Sequence, residues 1–238
     1  MLSGPPVAAV TAEQLLDRFM AASDRQRRTL VAQLEQRRQE LLPLIPAVLE
    51  RCDPAGDDWA PGLLIQLLLS ASDPEQQLQW WQQHADGWLA VTSAAGLELL
   101  PLERALAEQD FEQADRLTSA MLRQLAGAEA ERRGYVYYSE VPPMPALDLQ
   151  SLDRLWVVYS RGRFGFSVQA RLLQACGGRW DRLWPRIGWK QAGLWTRYPG
   201  SFTWSLEAPE GHMPLINQLR GVRLMDAVLH HPGLQQRV

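Results

Sequence analysis

Along most of the chain, apolar residues recur three and four positions apart, the period of a helix that buries one face. In "TAEQLLDRFM" Leu15, Leu16 and Phe19 share a face, and Thr11 with Gln14 spells a capping box ahead of them. "RQRRTLVAQLEQRRQELLPLIPAVL" keeps the period through positions 30, 31, 34, 41 and 42, and Pro43 and Pro46 are predicted to break or kink it. "PGLLIQLLLSA" and "EQQLQWWQQHADGW" predict two more short helices, in which Trp80 and Trp81 read as packing residues. Arg25, Arg27 and Arg28 read as a solvated face. Short helices joined by turns suggest a small bundle or solenoid, although no fixed-period repeat is present.

A second unit starts near Trp88, so the expected division is an N-terminal helical domain, 1–84, and a second domain, 88–238. "LLPLERALAEQ" and "DFEQADRLTSAMLRQLAG" predict a helical hairpin, with Asp110 and Gln113 as a capping box and Gly127 as the C-cap. "YVYYSEV", from Tyr135, alternates weakly and reads as a short strand or a loop. "DLQSLDRLWVVYSRG" puts Leu149, Leu152, Trp156 and Tyr159 on one helical stripe that Asp148 starts and Gly162 ends. "FSVQARLLQAC" and "RWDRLWPRIGW" are short helices. "MPLINQLRGVRLMDAVLHH" is predicted as the last one, with Pro214 tolerated in its first turn and His230 and His231 at its end. The fold class is all-α.

One stretch obeys neither period. In "LWTRYPGSFTW" Trp195, Tyr198, Phe202 and Trp204 crowd together while Pro199-Gly200 cuts through them. Rings on such a loop either plug their own core or line something concave. Just beyond them Asn217, Arg220 and Arg223 recur every third residue and so occupy one sector of the predicted helix, with Gly221 leaving its backbone open to close approach.

Bulk properties narrow the choices. With 238 residues, 46% hydrophobic and 21% charged, the chain can bury a sizeable core. Its longest apolar run, "LLIQLLLSA" from Leu63, is far short of the ~20 residues that span a bilayer. "MLSGPPVAAV" lacks the charged start of a secretory signal, and no Arg-rich transit peptide is evident. Cys52 and Cys176 read as reduced thiols of a cytosol. Residues 1–150 carry a net charge of −10 and residues 151–238 carry +7, and because Lys190 is the only lysine the C-terminal excess is arginine. Guanidinium groups suit carboxylates and phosphates. No HExxH, CxxC, GxSxG or P-loop pattern occurs, and "GRFGFSV" lacks the spacing of a dinucleotide loop, so catalysis is not expected. Aromatic rings beside arginines fit a flat apolar ligand with acidic edges. Single-stranded nucleic acid would use the same pair, but the negative overall charge and the lack of lysines speak against it. A sealed Trp-rich core, or a helical interaction scaffold with no bound ligand, is the remaining alternative.

"FGFSVQARLLQACGGRWDRLWPRIGWK" and "WTRYPGSFTWSLEAPEGHMPLINQLRGVR" resemble the genomes-uncoupled-four family, tetrapyrrole-binding regulators of magnesium chelatase. "LPLERALAEQDFEQADRLTSAML" and "PALDLQSLDRLW" extend the similarity over about Trp88 to Pro232, and residues 1–84 resemble the N-terminal extension of cyanobacterial members. The resemblance implies a helical core like a cupped hand, holding protoporphyrin IX or Mg-protoporphyrin IX, with no catalysis. It implies a partner, the large porphyrin-binding subunit of the chelatase, and a cyanobacterial cytoplasm with peripheral association at photosynthetic membranes. A monomer is the default. The expected porphyrin-binding residues are Tyr198, Phe202, Trp204, Leu215, Asn217, Arg220 and Arg223, with tryptophan common in the family where this chain has Tyr198. No direct metal ligand is expected, apart from a contact of Asn217 with the magnesium or its water, and His212 is a secondary candidate for the axial position.

Overall fold

Thr11 accepts a hydrogen bond from the Gln14 amide at 3.2 Å while the Gln14 side chain accepts one from Thr11 at 3.0 Å, so the first predicted capping box closes. The helix that it starts, α1 (Ala12–Ala21), is followed by α2 (Asp24–Gln36), α3 (Arg38–Leu41) and α4 (Ile45–Leu49). The long apolar-periodic stretch is thus broken at Arg37 and again around Pro43, and Pro46 sits in the first turn of α4 where its missing N–H is harmless. Then come α5 (Ala60–Ala71), α6 (Pro74–Gln83), α7 (Leu100–Ala107), α8 (Phe111–Ala126), α9 (Ala128–Arg133) and a 3-10 turn at Tyr138–Glu140. The rest is α10 (Ala146–Tyr159), α11 (Phe166–Ala175), α12 (Trp180–Arg186), a hairpin of β1 (Lys190–Gln191) and β2 (Leu194–Trp195), α13 (Val222–Leu229) and α14 (Pro232–Gln235). This computed structural model describes residues 10–216 and 222–238. The molecule is helical, as its periodicity implies, and no helix among the described residues is long and apolar enough to cross a membrane.

Two helices organise the packing. α5 is apolar almost all round and buried from Ala60 to Leu67, which places it at the centre, against α4, α7 and α10. On α10 the predicted stripe of Leu149, Leu152, Trp156 and Tyr159 is fully buried. Its polar tips find partners: the Trp156 indole donates to the Thr118 hydroxyl at 2.9 Å, and the Tyr159 hydroxyl donates to Glu103 at 2.7 Å. Glu103 also receives the amides of Trp88 and Leu89, which partly offset a burial that pushes its carboxyl up. Apolar packing runs unbroken from Leu15 to Leu234, across the turn after α6 where the division between 1–84 and 88–238 was expected.

The α5–α10 contact hinges on Gly62. A β-carbon there would stand 2.6 Å from the Val158 carbonyl oxygen, a backbone atom that cannot swing aside. Elsewhere in a helix Gly→Ala gains up to about 1 kcal/mol. Here the clash decides the sign, and Gly62→Ala is expected to lower stability by about 1–3 kcal/mol, read from the urea midpoint.

Several expectations need correction. Arg27 is not solvated: it is buried, donates to the carbonyls of Phe19 and Met20 at 3.0 and 2.7 Å, pairs with Asp58, and lies over the rings of Phe19 and Trp59. Arg25 and Arg28 are exposed. Asp148 does not start α10, which begins at Ala146 behind Pro145; its carboxylate instead takes the Ser93 hydroxyl and the amides of Ala94 and Ala95. Of the strand and the loop that "YVYYSEV" left open, the structure has the loop, which runs into the 3-10 turn. Asp110 caps the Gln113 amide at 3.0 Å, the accepting half of the expected box. The predicted last helix does not start at Met213. Met213–Ile216 is irregular, because tertiary partners satisfy its backbone: the Gly165 amide on the Met213 carbonyl, the Gln169 side chain on the Pro214 carbonyl, and Asp115 on the Leu215 amide. His231 does not close the chain's last helix either; it is the N-cap of α14.

Candidate functional site

A cavity of about 850 Å³ opens between α8, the segment around the 3-10 turn, the loop after β2 and α13. Its walls are mostly apolar, with Leu122, Val136, Val141, Met144, Ile216 and Val228 among them. α8 supplies one side because Asp115, Ser119, Leu122 and Arg123 fall on one helical face. The 3-10 turn packs on α13 and holds Val136 and Val141 against the opposite wall.

The loop after β2 supplies rings to the rim. Trp195 and Tyr198 line the cavity, each close to half exposed. Tyr198 is buttressed from behind: Phe202 and Trp204 meet it edge-on at 6.0 and 5.8 Å and stack on each other at 5.6 Å. The Trp204 indole donates to the Pro199 carbonyl at 3.1 Å, which folds the loop back on itself. The loop does both things open to it: part lines a hollow, and part plugs a small core of its own.

Charge is arranged around these rings. Arg116, Arg123 and Arg197 line the cavity; Arg116 pairs with Glu112 at 2.5 Å, whereas Arg123 and Arg197 have no carboxylate partner among the described residues. Beneath Tyr198, the buried Asp115 accepts the Leu215 amide at 2.6 Å. Burial pushes the Asp115 carboxyl up to about 7, against the pull of the Leu215 amide and the Tyr198 hydroxyl.

Of the expected porphyrin-binding residues, the structure brings Tyr198 and Leu215 onto the wall and sets Phe202 and Trp204 behind it. Arg223 is on the exposed side of α13, its guanidinium 5.5 Å over the Tyr138 ring and not among the lining side chains. Asn217 and Arg220 lie outside the described residues. His212 is not placed for axial ligation. It is buried, with Nδ1 2.7 Å from the Ile187 carbonyl and Nε2 accepting the Thr203 amide at 3.3 Å, and burial holds its pKa below the usual value. The ring is therefore neutral with the proton on Nδ1, and both nitrogens are in use. Among the described residues no group of three or more His, Cys, Asp or Glu could hold a metal.

Sequence reasoning passed over Asp115 and Arg123. Their helix was read only as one arm of a hairpin and for its caps, although Arg116 and Arg123, seven apart, mark one face of it.

The family model described as GUN4-like matches residues 92–232, which include α7 through α13 and every wall of this cavity. The chain belongs to the GUN4-like family. Among curated relatives, the "Ycf53-like protein" of Synechocystis sp. is 45% identical over 177 residues, covering 74% of this chain and 76% of that one. The "Tetrapyrrole-binding protein, chloroplastic" of Arabidopsis thaliana is 39% identical over 141 residues, covering 56% of this chain and 53% of its own. The solved structure of GUN4 from Chlamydomonas reinhardtii superposes with a TM-score of 0.58 at 36% identity, covering 61% of this chain and 93% of that one. The GUN4-like region thus coincides with the part of the chain that builds the hollow.

Proposed function

We propose that the chain binds protoporphyrin IX and Mg-protoporphyrin IX in this cavity and, without catalysis of its own, stimulates magnesium chelatase in chlorophyll biosynthesis. The observation that carries the reading is one hollow combining apolar walls, a ringed rim and two guanidinium groups, of Arg123 and Arg197, that no carboxylate among the described residues satisfies. A porphyrin is an apolar disc with ionised propionates at its edge. Its faces gain ~25 cal/mol per Å² on leaving water, and propionates gain charge-assisted hydrogen bonds from arginine. The volume lies within the range of small-molecule pockets. The Arabidopsis relative's name supports a tetrapyrrole as the ligand class.

In this reading Tyr198 and Leu215 stand against the macrocycle, and Phe202 and Trp204 hold Tyr198 upright. Arg123 and Arg197 reach the propionates, joined by the Arg220 and Arg223 that the resemblance assigns. Asn217 is directed at the magnesium or its water, since that ion favours oxygen ligands. Residues 88–238 form the binding core, residues 1–84 are a helical appendage, and the partner is the large porphyrin-binding subunit of the chelatase. The protein works as a monomer in a cyanobacterial cytoplasm and visits photosynthetic membranes peripherally.

Titrating the full chain with protoporphyrin should quench tryptophan emission, through Trp195 on the wall and Trp204 behind it. Arg123→Ala should raise the Kd about tenfold, the loss of one charge-assisted contact. Absence of quenching at micromolar porphyrin defeats the proposal. Chelatase assays at limiting magnesium, with and without the protein, test stimulation separately: binding without stimulation removes the regulatory half and leaves the ligand.

A further inference from the structure

Three arginines, Arg28, Arg161 and Arg163, border a seam on which neither the cavity nor its ligand draws. Arg28 and Glu35 lie seven residues apart on one face of α2. That face meets the Arg161-Gly162-Arg163 turn between α10 and α11. Arg161 donates to Glu35 at 2.9 Å, and a terminal nitrogen of Arg28 stands 3.6 Å from where a side chain on Gly162 would begin. Gly162 has φ 70°, a conformation open to glycine, and a side chain there would touch the Trp59 ring as well, at 3.7 Å. Arg163 donates to the Ala208 carbonyl at 2.6 Å.

The charges do not balance. Glu35 is committed to Arg161, the exposed Glu210 acts on Arg163, and Arg28 has no ion pair among the described residues. Burial, together with the fields of Arg28 and Arg161, holds the Arg163 pKa below the usual arginine value even against Glu210. Like charges gathered at a half-buried seam repel unless an anion joins them.

We propose that the seam between α2 and the 161–163 turn binds a small oxyanion, phosphate or carboxylate, held by Arg28, Arg161 and Arg163. Guanidinium forks match both groups, and the buried Nε atoms of Arg161 and Arg163, with no hydrogen-bond partner among the described residues, distinguish this place from a scatter of surface charge. The site would also bear on the chain's architecture. The Arg163 carbonyl accepts the Gly211 amide at 2.8 Å, so an anion here ties α2 to the turn that leads, four residues on, to Leu215 at the cavity.

The test uses the full chain with inorganic phosphate or acetate at low millimolar concentration, against chloride at matched ionic strength. The site predicts a saturable rise in Tm, accompanied by broadening of the phosphate ³¹P resonance when phosphate is the ligand. Arg28→Ala, which removes an exposed side chain without an ion pair, should weaken the response about tenfold or more. Arg25→Ala, exposed on the same helix, should leave it unchanged. Saturation by acetate alone assigns the site to carboxylates. A rise that never saturates is general salt exclusion and overturns the proposal, as does no response to either anion or an equal response in Arg28→Ala.

Discussion

Arg237→Ala is expected to cost about 3–5 kcal/mol of folding stability, although it changes an arginine far from the cavity. The Arg237 Nε donates to Asp153 at 2.7 Å, and its two terminal nitrogens straddle Asp57 at 3.1 Å each. Asp153 is 0% exposed and its other oxygen takes the Ser167 amide at 2.8 Å, so it starts α11 and cannot turn to water. Removing the guanidinium leaves a buried carboxylate with one amide and no cation, which is what makes breaking such a pair so much costlier than the pair is worth. Asp57 also holds Arg154 at 3.2 Å, and Arg154 donates to the carbonyls of Pro54, Gly56 and Ala90, so one network joins the first helices, α10 and the C-terminal residues. At roughly 2–4 °C per kcal/mol for a protein of this size, the Tm should fall by about 6–20 °C. Arg237→Lys should recover part of the loss, keeping the charge without the fork. Asp57→Ala, at a half-exposed carboxylate, should cost under about 1 kcal/mol. A calorimetric loss below that figure for Arg237→Ala would mean that Asp153 is neutralised by other means.

Periodicity carried most of the fold. The stripes on α1 and α10, the apolar run of α5 and the caps at Thr11 and Gly127 are local: every residue needed to read them lies within a few turns of helix. The misreadings share a cause. Asp148 has the side chain of an N-cap, and Met213-Pro214 the look of a helix start, yet each is claimed by a partner distant in sequence: Ser93 for the first, Gly165 and Gln169 for the second. Arg27 is the same case, since Asp58 and Trp59, some thirty residues on, turn a surface arginine into a buried one. A chain read by its local period cannot show such claims.

The site was legible where its residues broke the period and hidden where they kept it. Tyr198 and its neighbours stood out because Pro199-Gly200 denied them any regular element. Val136 and Val141 were ambiguous because six or seven residues of weak alternation fit a strand or a loop equally well. Arg123 and Asp115 sat inside an ordinary amphipathic helix, and nothing short of the tertiary packing reveals that the polar half of its face closes a hollow. The arginine-bearing segment before α13 was read from its spacing, and of its charged pair only Arg223 lies among the described residues, over Tyr138.

Asp115 should make both stability and ligand affinity depend on pH near neutrality. Its folded pKa of about 7 lies above the unfolded value of 3.8, so the native state binds the extra proton between those limits. The stability it contributes is therefore complete below about pH 4, falls as pH rises, and is lost above about pH 7. A shift of about three units amounts to roughly 4 kcal/mol. Asp115→Asn keeps an acceptor for the Leu215 amide and cannot ionise, so it should be about 2–4 kcal/mol more stable than wild type at pH 8, with the gap shrinking as pH falls and nearly closed at about pH 4. The groups around it do not cancel this: Glu112 pushes the same way, Arg116 opposes it but is already paired with Glu112, and Tyr198 only donates a hydrogen bond. The same charge stands on the cavity wall, where a ligand with ionised propionates meets it. Porphyrin affinity should fall between pH 6 and 8 in the wild type and stay level in Asp115→Asn. Parallel pH profiles for the two proteins would show instead that Asp115 remains charged throughout, with its partners outweighing its burial.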